Sequence, residues 1–210
     1  MRKEMYLRRY TDLASVIYLL RTQKITLLDP QSWIDRNDSY YLELYKKKKK
    51  LESVLALCFT TVSERYHFWR VFGAGSSGIR VRFRREALLA AVEKQPGLRM
   101  GSVEYLRLHE TPVAVSKLPF VKRYAFKDEK EFRMIYESDS DQLQTLDIPI
   151  PLSCIDKIVL NPWLHPALFS HVKGVLNSIK GYRSINIEHS RLIDNETSKR
   201  AGDRAIREAK

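Results

Sequence analysis

The chain holds two cysteines, Cys58 and Cys154, in 210 residues. Each sits among apolar neighbours, which excludes a disulfide-stapled scaffold and predicts reduced core thiols. No apolar run approaches the roughly 18 residues of a membrane span, so no membrane association is expected. Met1-Arg2-Lys3-Glu4-Met5 lacks the apolar stretch of a secretory signal, which predicts a cytoplasmic protein. The five histidines show no zinc-like spacing with each other or with the cysteines. His165 and His171, the nearest pair, read as surface helix residues, and no metal site is expected. No serine lies in a nucleophile elbow and no local pattern pairs Cys with His, so nucleophilic catalysis is unsupported. The turn from Gly73 to Gly78 has neither a G-x-G-x-x-G fingerprint nor a terminal G-K-[ST], which argues against Rossmann and phosphate-loop folds.

Positive charge is what the chain has in excess: a net +12 from 37 Lys and Arg against 25 Asp and Glu. Such a surface favours anionic partners, among them nucleic acid or a phosphorylated cofactor. Hydrophobic residues at 44% suffice for one core. We expect a single domain over residues 1–190 and a charged tail over 191–210, mobile or loosely helical.

In chain order, residues 6–10 read as a first strand, with Thr11 or Asp12 capping a helix striped by Leu13, Val16, Ile17 and Leu20. Ile25–Leu28 is a second strand stopped by Asp29-Pro30. A polar turn over Trp33–Asp38 precedes a helix carrying Tyr40, Tyr41, Leu44 and Tyr45. That helix ends in Lys46, Lys47, Lys48, Lys49 and Lys50, a solvated face or a phosphate-contacting patch. Val54–Phe59 is apolar enough for a strand covered on both sides. Ser63 is a candidate cap for a helix with Tyr66, His67, Trp69 and Phe72. Ile79, Val81 and Phe83 alternate with Arg80, Arg82 and Arg84, placing three guanidinium groups on one face, either paired with acids or lined up for phosphates. Further on we expect a helix over Arg85–Gln95, a strand at Val103–Leu106, a loop from Thr111 to Phe120, strands at 145–150 and 155–160, a helix from Pro166 to about Lys180 closed by Gly181, and a last strand at 185–187. Helices cluster early and late, so the fold class is α+β, not alternating.

The stretch Lys127–Glu137 carries the chemistry. Phe132, Met134 and Tyr136 alternate with Glu129, Glu131, Arg133 and Glu137, the period of a strand with one buried face. Glu129, Glu131 and Arg133 then share the other side at about 6.6 Å spacing, as a solvated ion-paired face or as the acidic centre of a site. Asp128-Glu129-Lys130 also fits the short D-x-K pattern of metal-dependent nucleases, with Glu104 as the upstream acid.

Tyr6-x-x-Arg9-Tyr10, Asp29-Pro30, Asn37-Asp38, Cys58-Phe59, Trp69 before Gly75 and Gly78, and Glu129-x-Glu131-x-Arg133 together resemble the bacterial domain-of-unknown-function family 2971, over most of residues 6–190. The sequence departs from that family's Asn-Asp-Pro turn, which stands here as Asp35-Arg36-Asn37-Asp38. The aromatic usual before the acidic pair is Phe126. More distantly, the layout is similar to ADP-ribosyltransferases, with a first-strand Arg, a Ser- or aromatic-containing middle strand and a late-strand glutamate. That likeness implies a mainly antiparallel, mixed, split sheet with flanking helices, and NAD as the substrate cofactor. It makes Glu131 the late-strand glutamate and Glu129 the upstream acid. It assigns cofactor binding to Arg8 or Arg9, Tyr10, Trp69, Ser76 and Ser77. The positive charge would recruit a nucleic-acid acceptor, with Arg80, Arg82, Arg84 and Lys46–Lys50 as its phosphate contacts, and the likeness implies a toxin or antiphage role with a neutralising antitoxin or regulatory partner. The alternatives are a non-catalytic nucleic-acid-binding module and a metal-dependent nuclease.

Overall fold

The computed structural model describes residues 5–73, 75–107, 113–179 and 185–208. In chain order the elements are β1 (Tyr6–Asp12), α1 (Leu13–Thr22), β2 (Lys24–Leu28), α2 (Arg36–Lys49), β3 (Ser53–Thr60), α3 (Tyr66–Phe72) and β4 (Gly78–Arg84). Then follow α4 (Arg85–Val92), β5 (Leu98–Ser102), β6 (Glu104–Leu106), β7 (Val121–Arg123), β8 (Glu131–Ser138) and β9 (Thr145–Pro149). The chain closes with β10 (Ile155–Leu160), α5 (Pro166–Asn177), β11 (Asn186–His189) and α6 (Glu196–Glu208). The fold is α+β, with a nine-stranded, mainly antiparallel mixed sheet; β6 and β7 form a separate parallel pair.

β3 explains the shape of that sheet. Its sequence, SVLALCFT, offers apolar side chains to both faces, as a central strand requires. It pairs with β8 along its whole length, from Ser53 opposite Ser138 to Thr60 opposite Glu131. To its other side it holds β1 only where Arg8 faces Thr60, and β2 only where Leu28 faces Ala56. β1 instead spends its seven residues on β4, whose far edge carries β10 and then β11. The sheet therefore splits between β1 and β3. Leu7, Leu20, Leu57, Phe83, Phe132 and Met134 fill one side of the split as a buried core. Asp12 caps α1 by accepting the Ser15 N–H at 2.8 Å.

Several local expectations change. The strand predicted over Lys127–Glu137 starts only at Glu131, because Tyr124–Glu129 is a 3₁₀ turn and Lys130 takes a left-handed φ of 43°. β8 is also buried on both faces, Arg133 included. α2 begins at Arg36, so Asp38 lies in its first turn and is buried, not in a polar surface turn. Ser63 does not cap α3, whose N-cap is Arg65 without a side-chain bond. β5 and β7 had no counterpart in the sequence pattern: each is short, and each is held by its partner strand more than by alternation. Gly97 has φ of +73°, with the Glu137 carbonyl oxygen 2.4 Å from where a Cβ would stand, so the turn into β5 needs glycine. Residues 111–112 of the expected loop, and Gly181, lie outside the described residues; Val115–Phe120 is a 3₁₀ turn. The tail forms α6, exposed along its length.

Candidate functional site

Where β1 and β3 part, a cleft of about 700 Å³ opens. Arg8 and Tyr10 of β1 form one wall, the end of β3 and Glu131 the floor, and the first turn of α2 faces them. α3 contributes Phe68 and Phe72, and the segment after β7 contributes Phe126 and Glu129.

The floor is an ion cluster built around Arg133. Its five N–H donors all find acceptors. Nε and one Nη reach Glu131 at 2.6 and 3.1 Å, and the other Nη reaches Asp38 Oδ1 at 2.9 Å and the Pro119 carbonyl at 3.1 Å. The fifth bond goes to Asp38 Oδ2. The register puts Arg133 opposite Cys58, under the N-terminal turn of α2, and it is fully buried there. A guanidinium survives in that position because two carboxylates fork onto it; unpaired, it would cost several kcal/mol, about 3–5. The Lys122 ammonium extends the cluster, lying 2.7 Å from Glu129, 3.4 Å from Glu131 and 3.5 Å from Asp38. It thereby stands where a divalent ion shared by these acids would sit. Among the described residues no group of three or more His, Cys, Asp and Glu is placed to hold a metal.

The two glutamates are pushed apart electrostatically. Burial works against the charge of Glu131, but Arg133 and then Lys122 outweigh it and hold its carboxyl far below the ordinary range. Glu129 is pushed up to about 7 by burial, against the opposing pull of Lys122 and with help from the charge of Glu131. Burial also raises Asp38, with Arg133 opposing. It raises Cys58 well above its usual value, with the Glu131 charge adding to it, so the half-buried thiol stays protonated. The Lys122 ammonium is disfavoured by burial, yet Glu131, Glu129 and Asp38 more than restore it. With all five groups ionised, three carboxylates against two cations leave one net negative charge at this end of the cleft.

The backbone around the acids is pinned. The Tyr105 hydroxyl accepts the Glu131 N–H at 2.8 Å, and the Thr60 hydroxyl donates to the Glu129 carbonyl. Arg8, across the cleft, donates to the Thr61 carbonyl at 2.7 Å. Tyr10 is set edge-on against Trp69 at 5.0 Å and Phe68 at 5.7 Å. Phe126 carries the cations of Lys122 and Arg123 over its ring at 4.7 and 5.2 Å, and Trp33 lies 5.2 Å from the Arg133 guanidinium.

Of the residues singled out from sequence, Glu131, Glu129, Arg8 and Tyr10 meet at this cleft. Arg9 points to the opposite side of β1, where it donates to the Cys58 carbonyl at 3.2 Å and lines a different cavity. Trp69 is buried beneath Tyr10, with its indole N–H on Glu64 at 2.7 Å, and does not line the cleft. Ser76 and Ser77 are exposed in a 3₁₀ turn away from it. The three β4 arginines do share a face, but each meets local acceptors: Arg80 with Glu64 at 3.7 Å, Arg82 with Asp156 at 2.5 Å, and Arg84 with the Ser153 and Ile155 carbonyls at 2.8 Å. Lys46–Lys50 close α2 at the end away from the cleft, about 20 Å along a 14-residue helix. Asp38, Lys122 and Trp33 were not foreseen as site residues, whereas Arg133 was read beside the two glutamates, on a solvated ion-paired face or at the centre of a site. Asn37-Asp38 had surfaced only as one element of a family likeness, and Lys122 carries no local signal.

No family model and no curated protein matches the chain, so the residues resembling family 2971 have no family match behind them. Among solved structures, three of Thermus sp. 2.9 DarT align with it. The one in complex with NAD+ is 9% identical over 90% of this chain and 96% of the other, with a TM-score of 0.47. The one with ADP-ribosylated ssDNA is 12% identical over 90% and 95%, at 0.47. The one with carba-NAD+ is 11% identical over 91% and 98%, at 0.48.

Proposed function

We propose that this chain is an NAD-dependent ADP-ribosyltransferase acting on a nucleic-acid acceptor, in a bacterial toxin or antiphage setting and under the control of a neutralising partner. The observation that carries this reading is the meeting of Glu131 and Arg8 across one aromatic-walled cleft. Its volume lies within the usual range for small-molecule sites.

Breaking the nicotinamide–ribose bond sends the bonding pair out with nicotinamide and leaves positive charge on the ribose, as in glycoside hydrolysis. Glu131, kept ionised by Arg133, supplies fixed negative charge beside that carbon, at no reorganisation cost when the charge develops. The acceptor atom then bonds to the same carbon and loses a proton. Glu129, poised near neutrality, takes that proton. Arg8 fits a pyrophosphate bidentately, which Lys would not reproduce. Tyr10, Trp33 and Phe126 offer faces and edges for the rings.

The test is NAD+ turnover with labelled NAD+ and single-stranded DNA, RNA or protein as acceptor. Glu131→Gln is expected to lower turnover about 10²–10³-fold. Because that change also disturbs the buried cluster, Glu129→Gln is run beside it, with near-UV circular dichroism to establish folding. Folded wild-type protein that neither consumes NAD+ nor labels any acceptor overturns the enzymatic reading. Salt-steep nucleic-acid binding that Glu131→Gln leaves unchanged, with no NAD+ loss, points instead to a non-catalytic binding module, for which the net charge of +12 is the favouring observation.

A further inference from the structure

α3 separates the cleft from a second and larger cavity, of about 990 Å³, between the ends of β10 and β11 and the start of α5. Phe68 and Phe72 face the cleft. On the other flank Tyr66 meets the ring of Trp163 edge-on at 5.4 Å, and Arg70 lies over the Trp163 indole at 4.0 Å while donating to the Tyr66 hydroxyl at 3.2 Å. Trp163 in turn lines the second cavity. The ridge is exposed: Tyr66 at 53% and Phe72 at 44% show more surface than most aromatic side chains of a folded domain.

We propose that this ridge and groove seat a single polynucleotide strand, whose bases stack on the Arg70–Trp163–Tyr66 array and whose phosphates run along Arg70, Arg191 and the start of α5. This deepens the reading above, since it gives that acceptor a place next to the reacting groups. α3 is about 10 Å long, so a strand of a few nucleotides reaches from the groove to the cleft.

Three acids line the groove beside Arg80 and Arg191, and each of the three has a partner. The Glu64 carboxylate accepts from Trp69 and from Ser190 at 2.6 Å and faces Arg80. Glu188 is taken by Lys157 at 2.6 Å and Asn186 at 2.7 Å, and Asp194 by Lys199 at 2.5 Å. Glu64 and Glu188 are thus taken up within the fold, Asp194 shares Lys199 with Glu196 at the surface, and Arg70 and Arg191 remain on the surface. His165 caps α5, its Nδ1 accepting the Ala167 N–H at 3.2 Å. The positive end of the twelve-residue α5 adds to the same field. Planar cations and aromatics that interleave along an exposed ridge suit a single strand. Duplex bases are already stacked on each other and cannot use such a platform.

The experiment is fluorescence anisotropy of a short fluorescein-labelled single strand, as DNA and as RNA, and of the corresponding duplex, all without NAD+. Single strands should bind at least about tenfold more tightly than duplex, and Arg70→Ala with Trp163→Ala should weaken them at least about tenfold. Arg191→Glu, on an exposed residue, keeps the test valid if the tryptophan variant fails to fold. It should flatten the salt dependence by close to one phosphate contact. A preference between DNA and RNA identifies the strand. Equal binding of strand and duplex, or single-strand binding that all three changes leave intact, overturns the proposal. NAD+ loss is measured separately on the same protein preparations, with and without the single strand. If NAD+ is consumed but the groove variants bind as wild type, the groove is refuted and the enzyme reading stands. If the groove variants lose the strand but wild type neither consumes NAD+ nor labels the strand, the groove stands and the enzyme reading is refuted.

Discussion

β4 and β8 look alike on paper: each alternates charged and apolar residues, with three guanidinium groups on one face of β4 and one, between acids, on β8. Their fates differ. On β4, Arg82 keeps its side chain 26% exposed beside Asp156, and Arg84 rests on two backbone carbonyls near the surface. On β8, Arg133 is fully buried between Asp38 and Glu131, with Lys122 closing the cluster from a separate strand. Alternation shows which residues share a face. What lies over that face decides whether charge is screened by water or aimed into a cleft, and α2 lies over β8.

The sharpest way to break this contrast is to remove one cation from each strand. Arg133→Met leaves Asp38 and Glu131 buried without their partner, and we expect it to cost about 3–5 kcal/mol in chemical denaturation. Arg82→Met removes a pair partly open to solvent and should cost about 1 kcal/mol or less. Similar losses for both would mean that burial does not separate the two faces. The double change Asp38→Asn with Arg133→Met, which removes one of the two stranded charges, should recover part of the larger loss.

The next contrast lies within β1. Arg8 and Arg9 are adjacent in sequence and opposite in space. Arg8→Lys keeps a positive charge but not the fork, so KM for NAD+ should rise about tenfold with the fold intact. Arg9→Lys, which acts on the Cys58 carbonyl from the far side of the strand, should leave KM within about twofold and lower Tm instead. The reverse pattern would assign the cleft to the wrong face of β1.

The chain made some of this legible before any coordinates. The both-sided apolar character of Val54–Phe59 marks the central strand, and the Phe132, Met134, Tyr136 series marks the core side of β8. Glu129, Glu131, Arg8 and Tyr10 could be picked out from their types and order, although nothing local separates Arg8 from Arg9. What stayed hidden depended on distant partners. Nothing local decides whether Arg133 lies on a solvated ion-paired face or in a site until Asp38, 95 positions away, is brought onto it. Lys122 stands in a three-residue strand defined by its pairing with β6. Trp69 has the composition of a stacking platform, but Glu64 and Tyr10 draw it beneath the wall instead.

The finest contrast is between the two glutamates, and pH separates them. Glu129 titrates higher in the fold than in the unfolded chain, near 7 against an ordinary 4.5. The folded state therefore keeps a proton that the unfolded state has already released, and stability from this group falls as pH rises from about 4.5 through 7. Glu131 is shifted the other way, so its contribution is fully present above about 4.5 and is lost as pH falls toward its lowered value. Urea midpoints of wild type should thus decline modestly from pH 4.5 to 7.5, and Glu129→Gln should abolish that component of the decline while leaving the loss in acid. We expect this effect to be the smallest of the three. Turnover supplies the opposite sign. If Glu129 must be ionised to take the acceptor's proton, the rate should climb through about pH 7 as stability eases down, and a rate that falls across the same interval would assign Glu129 the role of proton donor.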